Sequence, residues 1–408
     1  MKILILSWRD IKSPFAGGAE IFTFENARRW VASGHEVTWF TSGFETNPKE
    51  ESIEGVKIIR RGSETTVHYQ AFRHYHKFFR GKFDLVIDEI NTIPFFTPLY
   101  IKEKKVVLIF QLAREVWFHE TFFPLSLIGF FAEYFYLRIY RNIPVITISE
   151  STKQDLLNLG FSKKIFVLPI GITFKPLEQV PQKEDNPTLI FVGRLRKSKR
   201  VHHIIKALRI VKKEIPNIRL RIVGRVSRPG YLRRLNCLTR KYGLQENIIF
   251  HGYVDEHTKK SLISRSQAIV VTSVREGWSL VVTEANILST VAIGYNVPGL
   301  RDSIVHGQTG LLTLKNNPSA LAQTILNFFK DPVLCNKLSN NALEWTKRFN
   351  WDEASKNSLG LLIEVYENNF KNSKAFHGNK GRPSDVSSFL NGKGKPSNFF
   401  KHSPDLLK

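Results

Sequence analysis

Two cysteines in 408 residues, Cys237 and Cys335, are too few and too isolated for a disulfide framework. Neither belongs to a CxxC pair or a Cys/His cluster, so no zinc site is expected and a reducing compartment is the simpler reading. Long apolar runs are equally scarce. The start, MKILILSWRD, has four successive apolar residues from Ile3 to Leu6, too short for the core of a signal peptide, and reads as a buried first strand. The most membrane-like stretch, Phe122 to Ala132, contains Pro124 and Ser126 and then runs into Glu133, Arg138 and Arg141, too short to span a bilayer. Acidic residues are under-represented as well: 36 Asp plus Glu face 60 Lys plus Arg, for a net charge of +24. Such an excess implies a polyanion among the partners, whether nucleic acid, an anionic membrane surface or a nucleotide. Residues 372–408 hold seven basic and two acidic side chains; taking this +5 from +24 leaves +19, so the basicity belongs to the folded body. No zinc finger, RNP-like or helix-turn-helix pattern accompanies it, and no nucleic acid partner is expected.

What is present is alternation. Short apolar runs (KILILS, HEVTWFTS, VKIIRRG, FDLVIDEI, VVLIFQ, PVITIS) are separated by longer helical patterns, the signature of crossover units on a parallel sheet. The first helix is expected from about Gly18 to Ser33, with Ile21, Phe24, Ala27, Trp30 and Val31 at helical spacing and Gly34 at the left-handed cap position. After Pro187 a second set begins: TLIFVGRL, RLRIVGR, NIIFHGYV, QAIVVTS and TVAIGYN. The fold class is therefore α/β, with two similar halves. At 408 residues the chain exceeds what one core normally supports, and its 42% apolar content suffices for two. Gly171 to Pro187, rich in Pro, Gln and charge, is the expected linker. Beyond about Lys371 the composition turns to Gly, Ser, Asn, Lys and Pro, and a disordered tail is expected.

Two such halves facing one another form a cleft at the carboxyl ends of their strands, where open α/β sheets bind ligands. EGWSLVVTE follows the strand AIVVTS and opens a helix, so the free amides of Ser279 and Leu280 suit a phosphate beside the positive helix end. Glu276 and Glu284 are spaced so that one carboxylate can take hydroxyls in the loop and the other a second hydroxyl-bearing ring; a sugar nucleotide has both rings. In isolation the same pair would be a solvated loop residue and an exposed helix charge. GRLRKSKR follows TLIFV directly and carries Arg194 and Lys199 to the same cleft, where cations can neutralise a diphosphate without a metal. In PFAGGAE, Gly17 and Gly18 stand at a helix start, where a ligand can approach the backbone closely.

These pieces, together with VITISESTKQDLL, VLPIGITFKPL and VPGLRDSIVHGQTGLL, resemble in order and spacing the family 4 retaining glycosyltransferases (glycosyl transferases group 1), over about residues 1 to 370. The resemblance implies the GT-B fold: two Rossmann-like domains facing across a cleft, an acceptor domain at 1–174 and a nucleotide-sugar donor domain at 175–371 whose last helix is able to return to the first, then the basic tail 372–408. It implies that Glu276 contacts the transferred sugar, Glu284 the ribose, Arg194 and Lys199 the diphosphate, Gly17 and Gly18 the phosphate or acceptor side, and that backbone near Val254 meets the base. Glu276, Arg194 and Lys199 are the implied catalytic residues. It further implies retention of anomeric configuration, no obligatory metal and no cofactor, the nucleotide sugar being a substrate; the sequence accordingly lacks an aspartate pair suited to metal binding. Departures occur where the family has a His, here Phe110 and Gln111; His119, some nine residues on, takes that role if the loop LAREVWFHE folds back into the cleft, against the preferred reading of a surface side chain. Others are Ile170 for an Asn, Arg200 for a Gly after the Lys, Arg225 for a second Gly, and Ser289–Thr290.

YQAFRHYHKFFRGK places Phe72, Tyr75 and Phe79 on one helical face and Arg73, Lys77 and Arg80 on another, without an acidic residue from His68 to Lys82. Either the segment lies on a membrane surface, with Phe122 to Tyr140 as a second contact, or both stretches are core helices with a solvated basic face. The expected activity is hexosyl transfer, mannose- or glucose-type, from GDP-mannose or a UDP-hexose to a lipid-linked or polysaccharide acceptor, by a cytoplasmic protein peripheral on the inner membrane face. The alternative is a catalytically silent GT-B protein acting as a binding partner or regulator.

Overall fold

A computed structural model of the chain describes residues 1–44, 47–161, 164–174 and 181–367. The expected boundary near residue 175 and the tail 372–408 lie outside the described residues. The N-terminal sheet comprises β1 (Lys2–Leu6), β2 (Glu36–Thr41), β3 (Glu50–Ile53), β4 (Val56–Arg60), β5 (Leu85–Glu89), β6 (Lys104–Leu108), β7 (Val145–Thr147) and β8 (Ile165–Val167). Its order is β3-β4-β2-β1-β5-β6-β7-β8, and every pairing is parallel except β3 with β4. The C-terminal sheet comprises β9 (Thr188–Val192), β10 (Arg219–Val223), β11 (Ile248–Gly252), β12 (Ala268–Val271), β13 (Val291–Gly294) and β14 (Gly310–Leu312), in the order β11-β10-β9-β12-β13-β14, all parallel.

The strands are parallel because helices return the chain between them. In the first half these are α1 (Gly18–Ala32), α2 (Val67–His74), α3 (Val116–Glu120), α4 (Leu125–Leu137) and α5 (Glu150–Asn158). In the second they are α6 (Val201–Val211), α7 (Pro229–Lys241), α8 (Glu256–Arg265), α9 (Leu280–Ile287), α10 (Leu300–Ser303), α11 (Pro318–Lys330) and α12 (Pro332–Thr346), and α13 (Trp351–Glu367) ends the described chain. Helices on both faces bury the central strands completely, which is why KILIL, LVIDE, TLIFV and AIVV are nearly continuous apolar runs. α1 ends where the sequence places its cap, with Gly34 at φ +87°.

The strand order fixes where ligands can bind. In the first sheet the chain runs from β1 outward to β2 and later crosses to β5 on the other side of β1; in the second, β9 lies between β10 and β12. Each reversal leaves a crevice at the carboxyl ends of the strands. The loops there are those after β1 and β5 and those after β9 and β12, and they carry the Gly17–Gly18, Arg194–Lys199 and Glu276 segments.

The final helix does not stay with the second sheet. α13 packs on α1: Trp30 donates its indole N–H to Ser358 Oγ at 3.1 Å, and Ser358 donates to Asn26 Oδ1 at 2.7 Å, all three residues being buried. The Trp351 ring meets Phe22 edge-on at 6.0 Å. A Cβ on Gly171 would lie 2.3 Å from the Trp351 ring, so the connecting backbone can pass there only as glycine. Ser358→Ala leaves both the Trp30 donor and the Asn26 acceptor without their buried partner, and should lower unfolding stability by about 1–3 kcal/mol, read as a lower urea midpoint.

Candidate active site

The loops after β9 and β12 are stitched together by their own backbones. Val274 N donates to Ser198 O at 2.8 Å, and Thr272 Oγ1 donates to Lys199 O at 2.9 Å. Beside them a Cβ on Gly224 would lie 2.0 Å from Gly193 O, so the loop after β10 also requires glycine at its first position. This scaffold brings Lys199 Nζ onto Glu276 Oε1, and Ser273 Oγ donates to the same oxygen at 2.5 Å. Glu276 is fixed from behind as well: its N–H donates to Pro298 O at 3.1 Å, and its carbonyl abuts Gly299, where φ is +79°.

α9 starts immediately beyond, with Ser279 at its N-cap and no side chain capping its first amides. Across the cleft α1 starts at Gly18, and a Cβ there would lie 2.9 Å from Leu280 Cδ1. Gly277 sits equally tightly on the Phe110 carbonyl, 2.4 Å from the position of its missing Cβ. Gly17 faces Arg194, whose Nη2 would be 3.8 Å from a Cβ at that position, and Arg194 Nη1 lies 3.5 Å from Phe15 O. Gly17, Gly18, Arg194, Lys199, Glu276, Ser279 and Leu280 therefore converge on one cleft, bordered by two helix N-termini.

Glu284 and Val254 belong to the next part of the C-terminal half. Glu284, on α9, turns to α8 and meets Lys259 Nζ at 3.2 Å; burial raises its pKa and Lys259 opposes that rise. Val254 is half-buried against the C-terminal core just before Asp255, the N-cap of α8. The α8 start thus joins the two positions in one neighbourhood.

The cleft is crowded with like charge. Burial lowers the Arg194 pKa to about 10, with Arg196 and Arg9 pushing in the same direction. Burial also lowers that of Lys199, while its partner Glu276 opposes the fall. On the N-terminal side Glu20 accepts from Gly17 N at 2.7 Å, and burial raises its pKa. Behind it, Glu89 at the end of β5 accepts from Thr23 Oγ1 at 2.7 Å and from Asn91 Nδ2 at 2.8 Å; burial, then the Glu20 charge, raises its pKa to about 8. The GGxE pattern foreshadows Glu20 as the partner of the Gly17 amide. Nothing in the sequence around Glu89 sets it apart from other strand-end acids.

One expectation is corrected. His119 is half-buried at the cleft, with Nε2 3.4 Å from Arg200 Nη2. The reason lies in its neighbours. Glu120 accepts from Ser198 N at 2.9 Å, its carbonyl accepts from Arg228 Nη2 at 2.8 Å, and Glu115 pairs with Arg275 at 3.1 Å, so α3 is pinned to the C-terminal half. Burial, then Arg200, lowers the His119 pKa, keeping the ring neutral near pH 7. Phe110, where the resemblance implied a His, is buried and packs edge-on against Phe22 at 5.4 Å.

The Glu89 shift has a measurable consequence. A carboxyl whose pKa is raised on folding gives stability that is full below its unfolded value near 4.5 and is lost as pH rises through about 8. Glu89→Gln removes that titration while keeping an acceptor for Thr23. Its thermal midpoint should fall less than the wild type's between pH 5 and pH 8, and parallel pH profiles would contradict the assignment.

Comparison with known proteins bears on the family and the fold. Residues 16–175 match the model for Glycosyltransferase Family 4, and residues 175–345 match that for Glycosyl transferases group 1. An uncharacterized glycosyltransferase of Methanocaldococcus jannaschii is 24% identical over 390 residues, 88% of this chain and 97% of that protein. Among solved structures, a sucrose-phosphate synthase from Thermosynechococcus elongatus superposes with a TM-score of 0.74 at 22% identity, covering 90% of this chain and 99% of the other. The Anabaena protein HepE, in complex with UDP and glucose, gives a TM-score of 0.69 at 16% identity over 89% of this chain and 100% of its own. The chain belongs to glycosyltransferase family 4 and has the two-domain GT-B fold.

Proposed function

We propose that this glycosyltransferase moves a hexose, mannose- or glucose-type, from a nucleotide diphosphate sugar to a lipid-linked or polysaccharide acceptor at the cytoplasmic membrane face, with retention of anomeric configuration. The observation that carries the donor part is the ion pair of Lys199 with Glu276, set beneath the N-terminus of α9 and beside Arg194. A diphosphate competes with Glu276 for Lys199. Once the phosphates take the cations, the Glu276 carboxylate, still held by Ser273, is released to accept hydroxyls of the sugar. As the glycosidic bond breaks, negative charge grows on the leaving diphosphate. Arg194, Lys199 and the amides of Ser279 and Leu280 are already aimed at that charge, and their burial strengthens the interaction. Two half-buried cations supply the charge that a metal provides in other transferases. In this reading Glu284, backed by Lys259, takes the ribose and the backbone near Val254 the base; the HepE complex with UDP and glucose supports a donor of this class.

A second reading is favoured by Phe110. A buried phenyl ring cannot exchange hydrogen bonds with the sugar, and a chain that binds donor without transferring it would act as a partner or regulator. Thermal-shift measurements with UDP-hexoses and GDP-mannose should show a raised midpoint for one of them, since a ligand bound only by the native state stabilises it. Lys199→Ala and Glu284→Ala should each abolish that shift. Glu276→Gln should keep most of it and lower transfer to added acceptors by about 100-fold, the size of effect typical for one lost transition-state contact. A shift without turnover in the wild type selects the silent reading, and no shift with any nucleotide sugar refutes both.

A further inference from the structure

α4 is inside out. Its buried positions are Ser126, Gly129, Glu133 and Leu137, and the first three are small or polar. A Cβ on Gly129 would lie 2.5 Å from the Trp117 ring, so that ring lies flush with the helix backbone. Glu133 accepts from the N–H groups of Ala113 at 2.6 Å and Arg114 at 2.7 Å, using its carboxylate to anchor the helix from within. The large apolar side chains point the other way. Ile128, Phe131 and Phe135, at i, i+3 and i+7, are 58%, 53% and 60% exposed, and the residues leading into the helix, Phe122 and Phe123, are 70% and 78% exposed. Solvated helices show the opposite arrangement, and a contiguous apolar face of this kind marks a contact with another apolar phase.

The surroundings indicate which phase. Between Thr121 and Asn142 the sole acidic residue is the buried Glu133, whereas Arg138 is exposed and Arg141 half-exposed. The segment 92–100 joins this face to α2: Tyr136 donates to Thr92 O, Phe96 packs on Tyr136 at 6.3 Å, His68 bonds to Ile93 O at 3.1 Å and Phe72 packs on Tyr100 at 5.1 Å. Ile93 and Leu99 on that segment are exposed. α2 and the π-helical turn Tyr75–Phe79 that continues it contribute Arg73, Lys77 and Arg80, all exposed, with no acidic residue from Thr65 to Phe83. A protein partner or a second copy would be expected to meet such cations with carboxylates of its own, and this chain's exposed apolar face offers none for pairing with itself. An apolar face rimmed by cations of one sign suits anionic lipid, with rings in the acyl boundary and cations at the headgroups.

We propose that the outward face of α4, with the exposed cations of α2, docks this protein on an anionic phospholipid bilayer. The inference rests on the membrane-face part of the reading above and not on its transfer chemistry. The docking face is also covalently close to the donor site: Glu120, which binds the Ser198 amide, is two residues from Phe122. A bilayer on this face therefore holds the cleft at the lipid surface, where a lipid-linked acceptor presents its hydroxyl.

The test is sedimentation of the full-length protein with vesicles of phosphatidylcholine, with and without phosphatidylglycerol. The wild type should pellet with the anionic vesicles, and the double variant Phe131→Asp/Phe135→Asp should bind at least about tenfold more weakly, because two apolar contacts are replaced by charges the lipid repels. Both positions are exposed, so the thermal midpoint and any donor-induced shift should be unchanged, which separates a failure of docking from a failure of the donor reading. Arg73→Glu/Lys77→Glu should remove the preference for anionic over neutral vesicles. The proposal is overturned if the wild type stays in the supernatant, or if the Phe variants pellet as well as wild type, since the basic tail common to all of them would then account for binding. It is also overturned if sedimentation velocity without lipid shows a wild-type dimer that Phe131→Asp/Phe135→Asp dissociates, because the face would then be an interface between copies.

Discussion

Two helix N-termini and a set of half-buried cations share one cleft, and most of what is unusual in the chain follows from keeping that concentration of positive charge stable. α1 and α9 begin on opposite sides, close enough that Gly18 leaves no room for a Cβ against Leu280. Each helix brings about half a positive charge to its start. Arg194 and Lys199 add full charges that burial already disfavours. The carboxylates that oppose these cations are the chain's own: Glu276 sits on Lys199, and Glu20 covers the Gly17 amide near Arg194. Under the proposed function a dianion entering the cleft replaces these internal partners, so that the field stabilising it is built into the fold. Burial, and then the negative charge of Glu20 beside it, push the Glu89 carboxyl toward its neutral form.

The parallel sheets were legible because they are buried on both faces, which turns each strand into a continuous apolar run that needs no neighbour to be recognised. β3 was not, since Glu-Glu-Ser-Ile has neither apolar alternation nor β-branched density; it exists because Glu54 and Gly55, both at positive φ, make a tight hairpin back from β4. The stripe Phe72, Tyr75 and Phe79 was legible as an amphipathic face but not in its direction. Tyr75 and Phe79 are buried against Phe40, Val86 and their neighbours, and Phe72 stays exposed, because the helix passes into a wider π-helical turn at Tyr75. Periodicity counted at 3.6 residues per turn cannot anticipate that change. The return of α13 to α1 depends on Trp30, Asn26 and Ser358 meeting across more than three hundred residues of sequence, a contact with no local signal.

Within the site, glycine spacing and the basic run were readable, while the departures from the family pattern acquire meaning only in three dimensions. Arg200 stands where a glycine is usual, and its backbone is left-handed at φ +51°, a conformation that costs an L-residue about 1–2 kcal/mol. The side chain it keeps there reaches across to His119. Arg225 replaces a second glycine and spans the cleft edge differently: its guanidinium stacks on Tyr253 at 4.0 Å and donates to Pro14 O at 3.2 Å in the loop after β1. Ser289 likewise holds a positive φ, of 57°, and its carbonyl accepts from both Lys183 and Ser339. In the first two cases a residue that tolerates less backbone freedom supplies a contact between the halves of the protein that glycine cannot make.

These added contacts fall on the segment that leads from the cleft to the exposed apolar face. α3 is bound to the C-terminal half through Glu115, His119 and Glu120, and after one turn of chain it becomes the outward-facing α4. Glu133 ties α4 back to Ala113 and Arg114 at the start of the same segment, so residues 113–133 form a closed loop that Glu120 fastens to the Ser198 amide. Such a loop is stiff because its two ends are joined by charge-assisted bonds to backbone amides rather than by side-chain packing alone. On the two proposals made above, the basic excess serves a diphosphate in the cleft and headgroups outside, and the short stretch of sequence between Glu120 and Phe122 is what lets a single fold hold both.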